Sequence, residues 1–326
     1  MKNHALCTFG LAVIAAGCAD VSSAPTEAAI TPQVSLAVAA TSAATVNFEA
    51  PPYALGTIHL QDGWTSAGAA GLGCAIYDHA VVVNSSAIPS FGGQSLRMSN
   101  AVTSGCFSDQ TLSKQVPIGA GETTAQDIAG STISARQNSF EAEWNFASTV
   151  PGDEQAGLSV VASPDRGDGA RMSWIQMRDA PGGLEVNFND YQAGIGFVRT
   201  AVASGLSRSI PHTIKVVMDF VEGPANDIVK VSVDGVLVHT GTSWEDYFRI
   251  VESNPTRTVN RVLFRTAGDP APATAGKGFL IDNLSLATFA TPLSSAEQCK
   301  NDGWRSFNNP AFKNQGDCIQ YVNTGR

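Results

Sequence analysis

The stretch SFEAEWNF, residues 139–146, repeats with a period of two: Phe140, Ala142, Trp144 and Phe146 share one face, and Glu141, Glu143 and Asn145 the other. Successive side chains point to opposite faces only in a β-strand, so this pattern dictates a strand that is dry on one side and wet on the other. GLEVNFND, residues 183–190, repeats the pattern with Leu184, Val186 and Phe188 set against Glu185, Asn187 and Asn189. TIKVVMDF and RVLFRT read as further strands, and PDRGDG, APGG and EGPAND punctuate them as turns. No helical periodicity separates these runs, which argues for an antiparallel sandwich over a parallel sheet. The pattern extends from Val46 to about Leu286, a length that one domain can hold. The 31 glycines, 16 prolines and 15% of charged residues suit a turn-rich all-β fold.

VKVSVDGVLVHT predicts a hairpin, because Asp234-Gly235 tolerates the positive φ of a type I′ turn. A two-residue loop there pairs Val233 with Val236, Val231 with Val238 and Val229 with Thr240, all on one buried face. Lys230 then faces His239, and Asp234 is a turn residue. The following SWEDYFR reads as a short helical turn or a loop, with Ser243 as its N-cap.

The N-terminus, MKNHALCTFGLAVIAAGCAD, has one lysine before an apolar run of about a dozen residues, the length of a signal peptide and too short to span a bilayer. IAAGC resembles the bacterial lipobox, although Ala15 stands where leucine is usual. That resemblance implies a signal peptide over 1–17 and lipidation of Cys18; ordinary cleavage near Ala24 is the alternative. Residues 18–44, rich in Ala, Ser and Thr, read as a flexible tether. The expected product is an exported protein, held at the outer envelope surface by its lipid or released. Its net charge of −9 repels phosphate backbones, so nucleic acid is not an expected partner. No apolar run beyond the leader is long enough to cross a membrane.

Two local cysteine pairs remain, Cys74 with Cys106 and Cys299 with Cys318, and export implies that both are disulfides. Zinc is the competing reading, but Cys-x-x-Cys is absent and His79 is the only histidine near Cys74 or Cys106.

The motifs VNFE and GTIHLQDGW, FGGQSLRMSN, VKVSVDGVLVHT and GKGFLIDNLSLA together resemble a concanavalin-A-like (laminin-G-like) jelly roll of secreted bacterial proteins. The resemblance places a two-sheet antiparallel jelly-roll sandwich over residues 45–290. It also implies a structural calcium held by Glu49 of the first strand and Asp282 of the last, with carbonyls and Asp62 completing the shell. Solvated strand-end carboxylates are the alternative, and no other cofactor is expected. Residues 291–326 contain SAEQCKNDGWRSFNNPAFKNQGDCIQYV, which resembles a small C-terminal module of secreted bacterial proteins. Two short helices stapled by Cys299–Cys318 are expected there, with Ser295 and Gln298 as a capping box.

Sandwiches of this kind that bind sugars present a polar face with one or two aromatics. In RMSWIQMRDAPGGLEVNFNDY the outward residues are Glu185, Asn187 and Asn189, and Trp174, Gln176 and Arg178 if the partner strand follows suit. The opposite phase, through Arg171, Ser173, Ile175 and Met177, alternates no less cleanly. With Tyr191, the first set is the expected ligand-binding site for a polysaccharide or cell-surface glycan; an ordinary wet sheet face is the alternative. Hydrolases of this fold carry closely spaced acids such as Glu-x-Asp-x-x-Glu, and here Glu141 and Glu143 have no third partner. Lyases of this fold carry a Gln-x-His strand, which is missing, though Tyr191, Arg178 and Gln176 imitate part of such a set. A lectin-like module without catalytic residues is therefore expected first, a polysaccharide lyase or glycoside hydrolase second, and a structural envelope lipoprotein third. Arg166-Gly167-Asp168 reads as a chance turn.

Overall fold

Two sheets close over the apolar side that alternation specifies. The computed structural model describes residues 42–66, 78–84, 88–103, 109–122, 136–254, 256–290, 293, 295–307 and 312–324. The leader, Cys18, most of the tether, and the Cys74–Cys106 pair lie outside the described residues. Among those described, the first sheet has eight strands: β1 (Ser42–Val46), β3 (Asp78–Val83), β4 (Gln94–Ser99), β7 (Ser139–Ser148), β12 (His212–Asp219), β13 (Ile228–Val233), β14 (Val236–Gly241) and β17 (Phe279–Phe289). Their order is β14-β13-β12-β7-β17-β4-β3, with β1 also on β17. The second sheet has seven: β2 (Thr65–Ser66), β5 (Gln110–Leu112), β8 (Ser159–Asp165), β9 (Trp174–Ala180), β10 (Gly183–Gln192), β11 (Gly196–Leu206) and β16 (Arg261–Thr266). They run in the order β11-β10-β9-β8-β16-β5-β2. Two short strands, β6 (Ala120–Gly121) and β15 (Thr258–Val259), pair separately. This is the two-sheet antiparallel jelly roll that the resemblance implied.

Register and burial agree. Across β7 and β12, Trp144 faces Ile214, Ala142 faces Val216 and Phe140 faces Met218, and all six are buried. A slip of one residue would turn the whole set to solvent, so the apolar face itself locks the pairing. The layers meet on aromatic rings: Phe264 of β16 lies 6.0 Å edge-on to Trp144 and 6.2 Å from Trp64, with which it stacks.

The Asp234-Gly235 turn forms with both residues at positive φ, 50° and 78°. Val233 pairs with Val236 as expected, but the ladder then skips Val238, so Val231 faces His239 and Lys230 faces Thr240. Val229, Val231 and Val233 are buried, whereas Val236 is 63% exposed, so only the inner strand of the hairpin is core. The bulge on edge strand β14 lies beyond Val236 and re-aims the side chains that follow it. His239 thereby turns its ring to Phe188, 5.0 Å away, instead of facing Lys230. Asp234 does more than turn the chain: it accepts from the Thr213 N–H at 2.9 Å, and its Oδ2 lies 2.7 Å from His212 Nδ1.

Glycine at position 92 has a close-approach role. Gly92 sits at φ 61°, and a Cβ there would run into Glu49 Oε1. That oxygen accepts the Gly93 N–H at 2.6 Å and the Gln94 N–H at 3.2 Å, docking the start of β4 onto the segment after β1, where Glu49 lies beyond the strand in which it was expected.

At the C-terminal end, Cys299 and Cys318 form a disulfide. Ser295 N donates to Gln298 Oε1 at 2.9 Å, as the capping box required. In place of two helices there are two 3-10 turns, Ala296–Cys299 and Gly303–Ser306, and one helix, α1 (Gln315–Thr324). Leu293, Phe307 and the two cysteines form their core.

Because Phe264 bridges two tryptophans at the centre of the sandwich, F264A should cost about 3–5 kcal/mol of unfolding free energy. Urea denaturation followed by tryptophan fluorescence measures it. A loss below about 1 kcal/mol would place that ring outside the packed core.

Candidate ligand-binding cleft

The outer face of the second sheet is organised in cross-strand rows. Asn189 of β10 stands between Trp174 of β9 and Arg199 of β11. One pair along, Asn187 stands between Gln176 and Ala201. The second row continues through Val161 of β8 to Arg265 of β16. Side chains opposed in this way lie about 5 Å apart, a spacing that the backbone imposes and no loop can alter. The phase that the sequence left open in β9 is thus decided: Ser173, Ile175 and Met177 are buried, and Trp174, Gln176 and Arg178 face outward.

Above these rows lies a cleft of about 710 Å³. One wall is the Gly-rich loop from Arg166 to Arg171, and the other begins with Trp244 and continues through a π-helical turn, Tyr247–Val251. The Ser243 hydroxyl accepts the Glu245 N–H at 3.0 Å just ahead of this turn, whose own N-cap, Asp246, makes no side-chain cap hydrogen bond, so the expected capping by Ser243 is displaced upstream. Trp244 Nε1 donates to the Asn189 carbonyl at 2.9 Å, tying wall to floor. Phe197 of β11 lies 4.5 Å from Trp244 and 5.0 Å from Tyr247, yet stays 51% exposed at the rim. Tyr247 Oη donates to Glu252 Oε1.

The charge in the cleft comes from arginine. The guanidinium carbons of Arg171 and Arg265 lie 5.4 and 6.0 Å from the Trp174 ring centre. Burial, then the neighbouring Arg265, pushes Arg171 down to about 10. Arg166 is only 3% exposed; its Nε reaches Asp168 Oδ2 at 2.9 Å, and its Nη1 is buried without a hydrogen-bond partner. Arg199 is exposed and has no ion pair among the described residues.

The expected ligand set divides. Trp174, Gln176 and Asn189 line the cleft, with Gln176 Nε2 donating to Ser159 Oγ at 2.7 Å. Asn187 lies in the floor, 2% exposed, its Nδ2 unpartnered. Arg178 and Glu185 face outward but are engaged with each other at 3.4 Å. Tyr191 packs on Phe197 and Tyr247 and opens into a separate cavity of about 260 Å³. Arg166, Arg171, Phe197, Arg199, Trp244 and Tyr247 were missed. Their signals were present: two arginines in DRGDGAR, alternate large residues in GFVRT, and three aromatics in SWEDYF. The tripeptide read as a chance turn is one edge of the cleft.

Glu141 and Glu143 are on the outer face of the first sheet, where both approach Lys215 Nζ, at 2.6 and 4.0 Å. Glu49 and Asp282 are brought close to each other. Asp282 accepts from Ser95 Oγ at 3.0 Å and the Asn283 N–H at 2.6 Å, and burial, with Glu49 adding, pushes it up to about 7. Asp62 does not join them: it pairs with Lys114 at 2.7 Å and accepts from Tyr53.

Among the described residues, a different acidic group also has the geometry to hold a metal. Oxygens of Glu122, Asp227 and Glu245 lie within 4.8 Å of one another, all buried. Glu122 already faces Arg249 and Arg257, and Glu245 accepts from the Asn226 and Asp227 N–H groups, so guanidiniums and amides supply positive charge there. This network holds the cleft wall from behind, since Glu245 and Arg249 belong to the Trp244 segment.

No family model matches the chain, and no curated protein matches it. Among solved structures, alginate lyase Aly36B is 13% identical over 75% of this chain and 96% of that one, with a TM-score of 0.39. The globular domain of T. cruzi calreticulin is 9% identical over 72% and 87%, with a TM-score of 0.40. Caenorhabditis elegans galectin LEC-6 is 11% identical over 57% and 98%, with a TM-score of 0.28. What the cleft can bind follows from its own residues.

Burial, then Glu245, raises Asp227 well above the usual carboxylate range, and burial raises Glu245 to about 7. Both shifts favour the neutral acid in the folded state, so their stabilising contribution is complete below the ordinary carboxylate range and is lost as pH rises through about 7. D227N, which mimics the protonated form, should therefore gain stability relative to the native protein as pH rises from about 5 to about 9. Denaturant unfolding at both pH values measures this; a D227N penalty that grows with pH would mean that the carboxylate is ionised in the fold.

Proposed function

We propose that this protein binds a glycan chain in the cleft between the second sheet and the Trp244 wall, and does not cut it. The carrying observation is the pair of cross-strand rows, Arg199–Asn189–Trp174 and Asn187–Gln176, beside the exposed Phe197 ring. Sugar hydroxyls need fixed donors and acceptors, and pyranose rings need an apolar surface alongside them. Here amides and guanidiniums sit on a rigid sheet, so their placement costs little ordering on binding. Reading the cleft as non-catalytic is supported by the state of its acids: Asp168 is paired with Arg166, and Glu252 accepts from Tyr247. A glycosidase needs two carboxyl groups facing each other across the bond. The leader and the lipobox-like IAAGC support export and anchoring through Cys18, with residues 18–44 carrying the sandwich away from the membrane.

One observation favours a second reading. Tyr247 lies in the cleft with its hydroxyl oriented by a carboxylate, and a phenol so placed can move a proton in an eliminative cleavage.

The test is retention on a panel of insoluble and arrayed polysaccharides, with F197A and Q176A each weakening binding by about tenfold, or about 1.4 kcal/mol. Retention on no glycan would sink the proposal. New absorbance near 235 nm that disappears in Y247F would replace it with the eliminative reading.

A further inference from the structure

We infer that the glycan taken by this cleft is acidic, a chain of uronic acid units whose carboxylates are gripped by the arginines. The inference rests on the reading of the cleft as a glycan site and names the class of sugar.

The positive groups at the cleft are all arginines, in a chain that carries net charge −9. A guanidinium is a planar fork that matches a carboxylate with two parallel hydrogen bonds, which the ammonium of lysine cannot do. Two of them, Arg166 and Arg171, belong to the loop at one end of the cleft, and Arg265 of β16 lies next to Arg171. Arg171 and Arg265 lie over the same indole, and Arg166 lies in the loop that leads to Arg171. Like charges so close repel, and although Arg265 already meets Asp109 at 3.4 Å, an anion beside Arg171 relieves what repulsion is left; burial first, and Arg265 second, lower Arg171 below the usual arginine range.

The second observation is independent of charge counting. Arg166 is 3% exposed, lines the cleft, and holds one terminal nitrogen that is buried with no partner. A buried polar hydrogen left unmade is costly, and a neutral sugar hydroxyl would offset it less well than a carboxylate oxygen. Its one carboxylate contact, Asp168, meets Nε and leaves Nη1 free for another acceptor. At the other end, Arg199 stands exposed beside Asn189 with no ion pair among the described residues. Basic groups at both ends of the floor, separated by Trp174 and Asn189, suit a polymer with an acid on successive units better than a single anion.

The rows also exclude a bare stacking platform. Two guanidiniums lie close to the Trp174 ring, so an acid beside that indole can reach them, whereas a neutral ring finds its apolar surface on Phe197, Tyr247 and the Trp244 wall.

Pectic polymers test this directly, because methyl esterification removes the charge and keeps the backbone. Affinity electrophoresis and calorimetry should show polygalacturonate bound at least tenfold more tightly than its fully methyl-esterified form, and progressively more weakly as salt rises. R199Q changes an exposed residue and leaves the fold intact. It should lower the preference for polygalacturonate over the esterified polymer about tenfold, and R171Q should do the same. Equal affinity for the two polymers, or R199Q and R171Q variants that bind polygalacturonate as the native protein does, would overturn the acidic assignment and leave the glycan cleft standing. Preference for a neutral polymer such as dextran or xylan overturns it too. Failure to bind any polymer, charged or neutral, overturns the cleft reading itself.

Discussion

The pairing register of β9, β10 and β11 is the constraint on which the candidate site depends. Ile175, Met177, Val186 and Phe188 must face inward, because together they form part of the core against the first sheet. Once they do, Trp174, Gln176, Asn187 and Asn189 have no choice but to face outward, at spacings set by the ladder. The chemistry of the cleft floor is therefore a corollary of core packing. A slip of one residue would bury the polar row and expose the apolar one, and no rearrangement of loops could restore either.

The walls depend on a different interaction. The segment from Ser243 to Val251 anchors Trp244 and Phe248 in the main core, and its path is fixed further by Ser243, by the Trp244–Asn189 hydrogen bond, and by the Glu122–Arg249–Glu245 contacts beneath it. Buried ionic contacts of this kind give little net stability, because desolvation offsets most of the attraction. They do specify geometry: Arg249 reaches both glutamates from one position of the turn. The cleft is thus a rigid floor with a wall fastened by directional contacts, an arrangement suited to gripping a chain without reshaping around it.

Legibility in the sequence followed locality. Alternation in SFEAEWNF and GLEVNFND specified the faces of β7 and β10 correctly, and Asp234-Gly235 specified its turn. Cys299 and Cys318 paired as their spacing suggested. The hairpin failed one step beyond the turn, because a bulge at Val238 on an edge strand answers to packing against Phe188 and leaves no local trace. Asp234 was read as punctuation, since its contact with His212 joins residues 22 positions apart. Arg166 in DRGDGAR, Phe197 in GFVRT and Tyr247 in SWEDYF were all visible, but each lies on a separate segment, and nothing in one segment refers to the others.

By itself the sequence determined that the chain is an antiparallel sandwich, which side of its best strands is buried, and which polar residues of β10 share a face. Those properties follow from a period of two and from the conformational demands of turn residues, which act over a few neighbours. Only the tertiary structure decided that Arg166, Arg171, Arg199 and Arg265 surround one indole and amide floor, that Glu141 and Glu143 face the other way, and that Glu122 meets Glu245. Contacts between segments tens of residues apart depend on sheet order and loop path, and the alternation of a single strand carries no information about either.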